Sequence, residues 1–227
     1  MRKTAAMITE QLTEIYQLLF ERFGPQHWWP GETQFEIITG AILTQNTNWA
    51  NVEKAIANLK SAHLLTPEKL YHLDISELAE FIRPAGYYNI KAKRLKSFLT
   101  WFFQNYDGQL ANLETLDTNR LRAELLAVSG IGPETADSIL LYAFGRPVFV
   151  VDAYTARVAV RHGLIDTEAD YEQLRELFQS NLPQDVQLFN EFHALLVRLG
   201  KDFCRPKARC HGCPLEKLPH NLDIRYF

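Results

Sequence analysis

Three groups of residues have types and spacings that could do chemistry. The stretch "LLAVSGIGPETADSILL", Leu125 to Leu141, joins two apolar helical segments through a short turn on Gly130 and Gly132. Glycine tolerates positive φ and leaves room for close approach, so the N–H groups of such a turn can hold a phosphate without reading a base. Asp152, twenty residues beyond Gly132, follows the apolar "PVFVV" and starts the helical "AYTARVAVRH". A carboxylate there can cap the helix; beside a phosphate-binding turn it can also orient a water and stabilise positive charge developing at a sugar C1′. The third group is Cys204, Cys210 and Cys213, the chain's three cysteines. Their odd number and tight spacing suit a metal site in a cytoplasmic protein better than a secreted disulfide framework.

Nearly every segment that must position these groups reads at helical period. "ITEQLTEIYQLLFERF" places Ile8, Leu12, Ile15, Leu19 and Phe23 on one face, and Thr33 and Asn48 stand where N-caps belong. Further helices fit "IKAKRLKSFLTWFF", "TNRLRAELLAV", "YEQLRELFQ" and "VQLFNEFHALLVRLG". Only "VFVV" resembles a strand, so the fold class is all-α. That disposes of a dinucleotide fingerprint. Gly-x-Gly followed by a distant acid needs a strand before the glycines, whereas "NRLRAELLAV" is helical and Thr135 holds the third glycine position. The bland readings are an ordinary helix–helix turn with a glycine C-cap and an aspartate that caps and does nothing else.

The chain has 227 residues, 47% hydrophobic, with a formal charge of −3. That suffices for one large core or two lobes and carries no global signature of nucleic-acid binding. No apolar run approaches the roughly 20 residues of a membrane span, and "MRKTAAMITE" lacks the apolar segment of a secretory signal, so a cytoplasmic protein is expected. Locally, Arg83, Lys91, Lys93, Arg94 and Lys96 form a basic run, readable as a solvated helix face or a phosphate-facing patch, and a second cluster holds Lys201, Arg205, Lys207 and Arg209.

"VSGIGPETADSILLYAFGRPVFVVDAYTARV" resembles the helix-hairpin-helix, Gly/Pro-rich loop and catalytic aspartate of the endonuclease III superfamily of DNA glycosylases. Within it, "WWPGETQFEIITGAILTQNT" and "RPAGYYNIKAKRL" are most similar to the type III 3-methyladenine glycosylases. The resemblance covers nearly the whole chain. It implies two helical lobes, residues 36–146 with the hairpin and residues 1–35 with 147–227 carrying Asp152, and damaged duplex DNA docked across them, bound by a monomer. Strand-cleaving relatives carry a lysine where this chain has Glu134; a carboxylate cannot form a Schiff base, so base removal without lyase activity is expected. The resemblance further assigns Trp28, Trp29, Pro30 and Trp49 to the base pocket. Indole faces suit a cationic alkylated purine, though Trp49 replaces the family's usual phenylalanine and leaves pocket size open. Gln45 and Tyr87 match the residues that fill the gap left by an everted nucleotide, and Lys91 would meet phosphate.

"CRPKARCHGCPLEKLPH" is similar to the family's [4Fe–4S] loop, with two departures. The first gap is one residue short, and Pro219 stands where the fourth cysteine belongs; His220 beside it, or less conveniently His211, could ligate. A zinc site and a metal-free remnant remain alternatives. For function, alkylpurine excision stands beside excision of oxidised pyrimidines and a non-catalytic DNA-binding module.

Overall fold

A computed structural model describes residues 4–223; the first three residues of the "MRKTAAMITE" start lie outside them. Among the described residues there are helices and connecting segments but no strand, and no helix is long and apolar enough to cross a membrane. The chain divides into two units: residues up to Trp28 with those from Pro147 onward, and Trp29–Arg146. It therefore passes from one unit to the other between two adjacent tryptophans.

The first unit contains α1 (Ala5–Phe23) and three helices from the end of the chain. Leu12, Ile15 and Leu19 form the buried stripe of α1 that the heptad-like spacing requires. "VFVV" is wholly buried but forms no strand. Its Phe149 stacks on Phe178, with centroids 4.3 Å apart, and meets Phe189 and Phe192 edge-on. Each such buried ring is worth up to about 3 kcal/mol, enough to fix the segment that delivers Asp152.

The Trp29–Arg146 unit runs from α2 (Gln34–Leu43), α3 (Trp49–Ser61), α4 (Pro67–His72) and α5 (Ile75–Phe81) to α6 (Tyr88–Tyr106), α7 (Leu110–Glu114), α8 (Thr118–Ala127) and α9 (Pro133–Ser138). A single π-helical turn, Ile139–Ala143, continues α9 and is buried throughout. As expected, Thr33 Oγ1 and Asn48 Oδ1 cap α2 and α3, each accepting at 3.1 Å from the amide three residues on. The short helices α4 and α7 escaped the sequence reading because each offers barely one turn of periodicity.

The first unit is completed by α10 (Ala153–Arg161), α11 (Tyr171–Asn181) and α12 (Val186–Asp202). A Cβ at Gly200 would lie 2.2 Å from Tyr154 Cδ1, so α10 and α12 pack as closely as they do only because residue 200 has no side chain. That close packing sets the surroundings of Asp152.

Candidate active site

Asp152 occupies the N-cap of α10. Its Oδ1 accepts from the Thr155 amide at 2.8 Å, while Oδ2 lies 3.6 Å from His193 Nε2, a residue of α12. Burial alone would push the carboxyl up. The adjacent His193 imidazole, with hydrogen bonds from Thr155, outweighs it and holds the group below the usual carboxylate range. The side chain keeps 14% exposure, so this ionised carboxylate is held but not sealed. Trp28 packs against the same histidine, ring centroids 5.7 Å apart. His193 was missed in the sequence. It lies in the buried apolar stripe of α12, and nothing local sets it apart from a core residue.

In the second unit, Trp29, Trp49 and Tyr142 make one aromatic wall. Trp29 meets Trp49 edge-on and Tyr142 at a tilt, each with centroids 4.9 Å apart. Gly40 lies against both indoles; a Cβ there would touch Trp49 Cη2 at 3.4 Å and Trp29 Cζ2 at 3.5 Å. At such spacings the rings pack on each other and leave no slot between them. Trp28 and Trp29 thus serve separate assemblies in separate units, and Pro30 is exposed beside the second. The Trp49 indole N–H and the Thr39 hydroxyl are buried without a hydrogen-bond partner, polar groups that a base edge could satisfy. Tyr142, supplied by the π turn, had no sequence signal.

The hairpin is α8, its turn and α9. Arg122 of α8 grips Asp137 of α9 through two bonds of 2.6 and 3.1 Å, and Asp137 is wholly buried. Gly130 sits at φ +90°, and a Cβ there would lie 2.3 Å from Arg94 Cγ. Gly132 differs. Its backbone is extended (φ −94°, ψ 177°) and a Cβ would meet nothing within 4 Å, so the fold itself does not require glycine there. Gln45 is tied to this turn: Nε2 donates to Gly130 O at 3.0 Å and Thr135 Oγ1 at 2.9 Å, and Oε1 accepts from Arg94 Nη1.

Tyr87 is 67% exposed and holds the left-handed region at φ +47°; Ile90, one turn on, is also exposed. An apolar pair held out by a strained residue suits a wedge. Lys91 corrects an expectation. It does not face phosphate but is buried, its Nζ donating to Leu43 O at 2.8 Å and Ala85 O at 2.7 Å. Desolvation, then the Arg94 charge, pushes its pKa down to about 8. Lys96 likewise holds the carbonyls of Leu70, Tyr71 and Leu73 at the end of α4. In this run Lys93 stays exposed.

Cys204, Cys210 and Cys213 all line one cavity in the first unit. His162 and His220 line it too, whereas His211 does not. Burial raises the thiols of Cys210 and Cys213, and the neighbouring thiols push the same way. Arg161 braces the loop, reaching Cys204 Sγ at 3.3 Å, Arg205 O at 2.7 Å and Pro206 O at 2.8 Å. Among the described residues no three Cys, His, Asp or Glu side chains converge closely enough to hold one metal ion. What the cavity offers an iron–sulfur cluster is its lining, three thiols and two imidazoles.

The sequence profile of the HhH-GPD superfamily base excision DNA repair proteins matches residues 39–184. A candidate DNA repair glycosylase of Methanocaldococcus jannaschii is 50% identical over 209 residues, covering 92% of this chain and 95% of its own. The endonuclease III of Sulfolobus acidocaldarius is 32% identical over 181 residues, 79% of this chain and 78% of its own. Among solved structures, the H. pylori 3-methyladenine DNA glycosylase bound to 1,N6-ethenoadenine superposes with a TM-score of 0.73 at 32% identity, over 86% of this chain and 97% of that one. A non-covalent endonuclease III–DNA complex shares the fold with a TM-score of 0.80 at 22% identity, over 93% and 94%.

Proposed function

The chain belongs to the HhH-GPD superfamily of base excision DNA repair proteins and is a DNA glycosylase, and from that premise we propose that it removes alkylated purines from duplex DNA without cutting the strand. The observation that carries the reading is Asp152. One of its oxygens is fixed by the Thr155 amide, the other is flanked by His193, and the carboxyl is held ionised. A fixed anion of this kind stabilises an oxocarbenium ion at C1′ and is poorly suited to act as a strong base. An N3- or N7-alkylated purine needs no strong acid or base. The C1′–N bond breaks with its electron pair leaving on the base, which cancels the base's positive charge; water then adds to C1′ and releases a proton.

The wall of Trp29, Trp49 and Tyr142 supports the same substrate class, since a desolvated cation on indole gains up to about 2 kcal/mol. Glu134, exposed in the first turn of α9, offers no amine for a Schiff base. The turn at Gly130 and Gly132 would bind the strand through its amides, and Tyr87 with Gln45 would fill the gap left by the everted nucleotide. In this reading the protein works as a monomer, and the cysteine-lined cavity holds a structural [4Fe–4S] cluster that takes no part in bond breaking.

The test is chromatography of bases released from methylated duplex DNA, followed by borohydride trapping. Free 3-methyladenine with no trapped adduct is expected. Intact glycosidic bonds after long incubation would overturn the substrate class. Release of oxidised pyrimidines with a covalent adduct would favour an endonuclease III-like activity instead.

A further inference from the structure

We propose that His220 is the fourth protein ligand of an iron–sulfur cluster whose other ligands are Cys204, Cys210 and Cys213. The inference rests on the cluster reading of the tail and adds a donor that the family pattern does not supply, since Pro219 stands at the fourth cysteine's place and has no donor side chain. His220 lines the same cavity as the three thiols. Its Nδ1 lies 2.8 Å from Leu218 O. A carbonyl can only accept, so Nδ1 carries the proton and Nε2 keeps the lone pair that a metal requires.

The backbone on both sides of His220 is tied down. His162 Nδ1 lies 3.1 Å from Pro219 O, and the Asn221 amide donates to Arg161 O at 2.8 Å. Arg161 and His162, at the end of α10, therefore hold the loop, while the Arg161 guanidinium reaches Cys204 Sγ. The rings of His162 and His220 are 5.7 Å apart, which makes His162 a positioning residue for the ligand next to it. Glu216 accepts from the Gly212 amide at 3.0 Å and closes the Cys210–Cys213 turn, and His211 does not line the cavity. An imidazole in place of one thiolate leaves the cluster less negative, and its reduction potential should lie above that of an all-cysteine cluster.

The experiment uses the full chain, purified without oxygen and reconstituted with ferrous iron and sulfide. Iron, sulfide and zinc are quantified, and the reduction potential and paramagnetic spectrum are recorded for wild type, His220→Cys, His220→Ala and His162→Gln, with thermal melting as the check on folding. The wild type should bind about four irons per chain. His220→Cys should keep them and titrate at a lower potential. His220→Ala should lose about one iron in four and give a three-iron signal. His162→Gln should keep its iron. If His220→Ala keeps full iron and His220→Cys leaves the potential unmoved, or if loss of iron follows His162→Gln instead, the assignment of His220 is overturned while the cluster stands. If wild type takes up neither iron nor sulfide, or zinc in their place, the cluster reading itself falls.

Discussion

The starts of α9 and α10 solve one problem in opposite ways. Every helix begins with amides that have no partner in their own helix. At α10 a side chain answers: Asp152 accepts from the Thr155 amide and brings a negative charge with it. At α9 the N-cap is Gly132, with no side-chain cap and open space where a Cβ would stand. One start keeps a carboxylate rigid and ionised, which under the proposed function serves a cation that exists only during reaction. The other keeps its backbone bare, which under the same proposal suits an anion such as a phosphate. The support differs accordingly. Asp152 depends on neighbours that tune its charge, whereas the α9 turn depends on neighbours that fix its shape.

If shape is what the α9 start needs, the largest effect should come from its clamp. Arg122→Ala leaves the wholly buried Asp137 without its bidentate partner, and loss of one member of such a pair costs about 3–5 kcal/mol. Urea unfolding should show that loss. A change under about 1 kcal/mol would mean the pair does not hold the hairpin.

If charge is what the α10 start needs, Asp152→Asn should cost activity and little else. Asparagine caps about as well as aspartate, so the melting temperature should stay close to wild type. Base release measured under single-turnover conditions should fall by about 10²–10³-fold, the usual loss on removing one electrostatic stabiliser. Unchanged release would reduce the protein to a DNA-binding module.

The two glycines of the turn sharpen the contrast further. Gly130→Ala forces alanine to φ +90° and drives a methyl into Arg94, so about 1–3 kcal/mol of stability should go. Gly132→Ala should melt no lower than wild type, since its backbone is extended and its space is open, yet bind duplex DNA more weakly in a filter assay. Equal DNA affinity for Gly132→Ala and wild type would remove the case for a phosphate at that amide.

Much of this was legible in the sequence. Leu12, Ile15 and Leu19, the caps Thr33, Asn48 and Asp152, and the hairpin around Gly130 follow from local rules, because a cap or a stripe is settled within one or two turns. What stayed hidden depends on residues far apart in the chain. Trp28 and Trp29 are neighbours in sequence, and only the path of the backbone sends one ring to His193 and the other to Tyr142. His193 and Tyr142 look like core, as each lies in an apolar stretch. Lys91 misled through its charged neighbours. The period held the better signal, since Lys91, Leu95, Phe98 and Phe102 recur on the buried side of α6.

Lys91 also yields the smallest and most specific test, because it places a cation at neither helix start but inside the support. Its pKa of about 8 lies below the ordinary lysine value of 10.5, so the fold disfavours the charged form. Below about pH 8 both folded and unfolded chains are protonated and the fold carries the full cost of burying the ammonium. Between about 8 and 10.5 the unfolded chain binds a proton that the folded chain has lost, so stability must rise with pH across that window. The limiting slope for one proton is about 1.4 kcal/mol per pH unit. Lys91→Met removes the titration along with the bonds to Leu43 and Ala85, while every other lysine and tyrosine remains. Subtracting its unfolding free energy from that of wild type isolates the group. The difference should shift in favour of wild type by about 1 kcal/mol between pH 8 and 9. A flat difference would return the ammonium to solvent and restore a phosphate-facing Lys91.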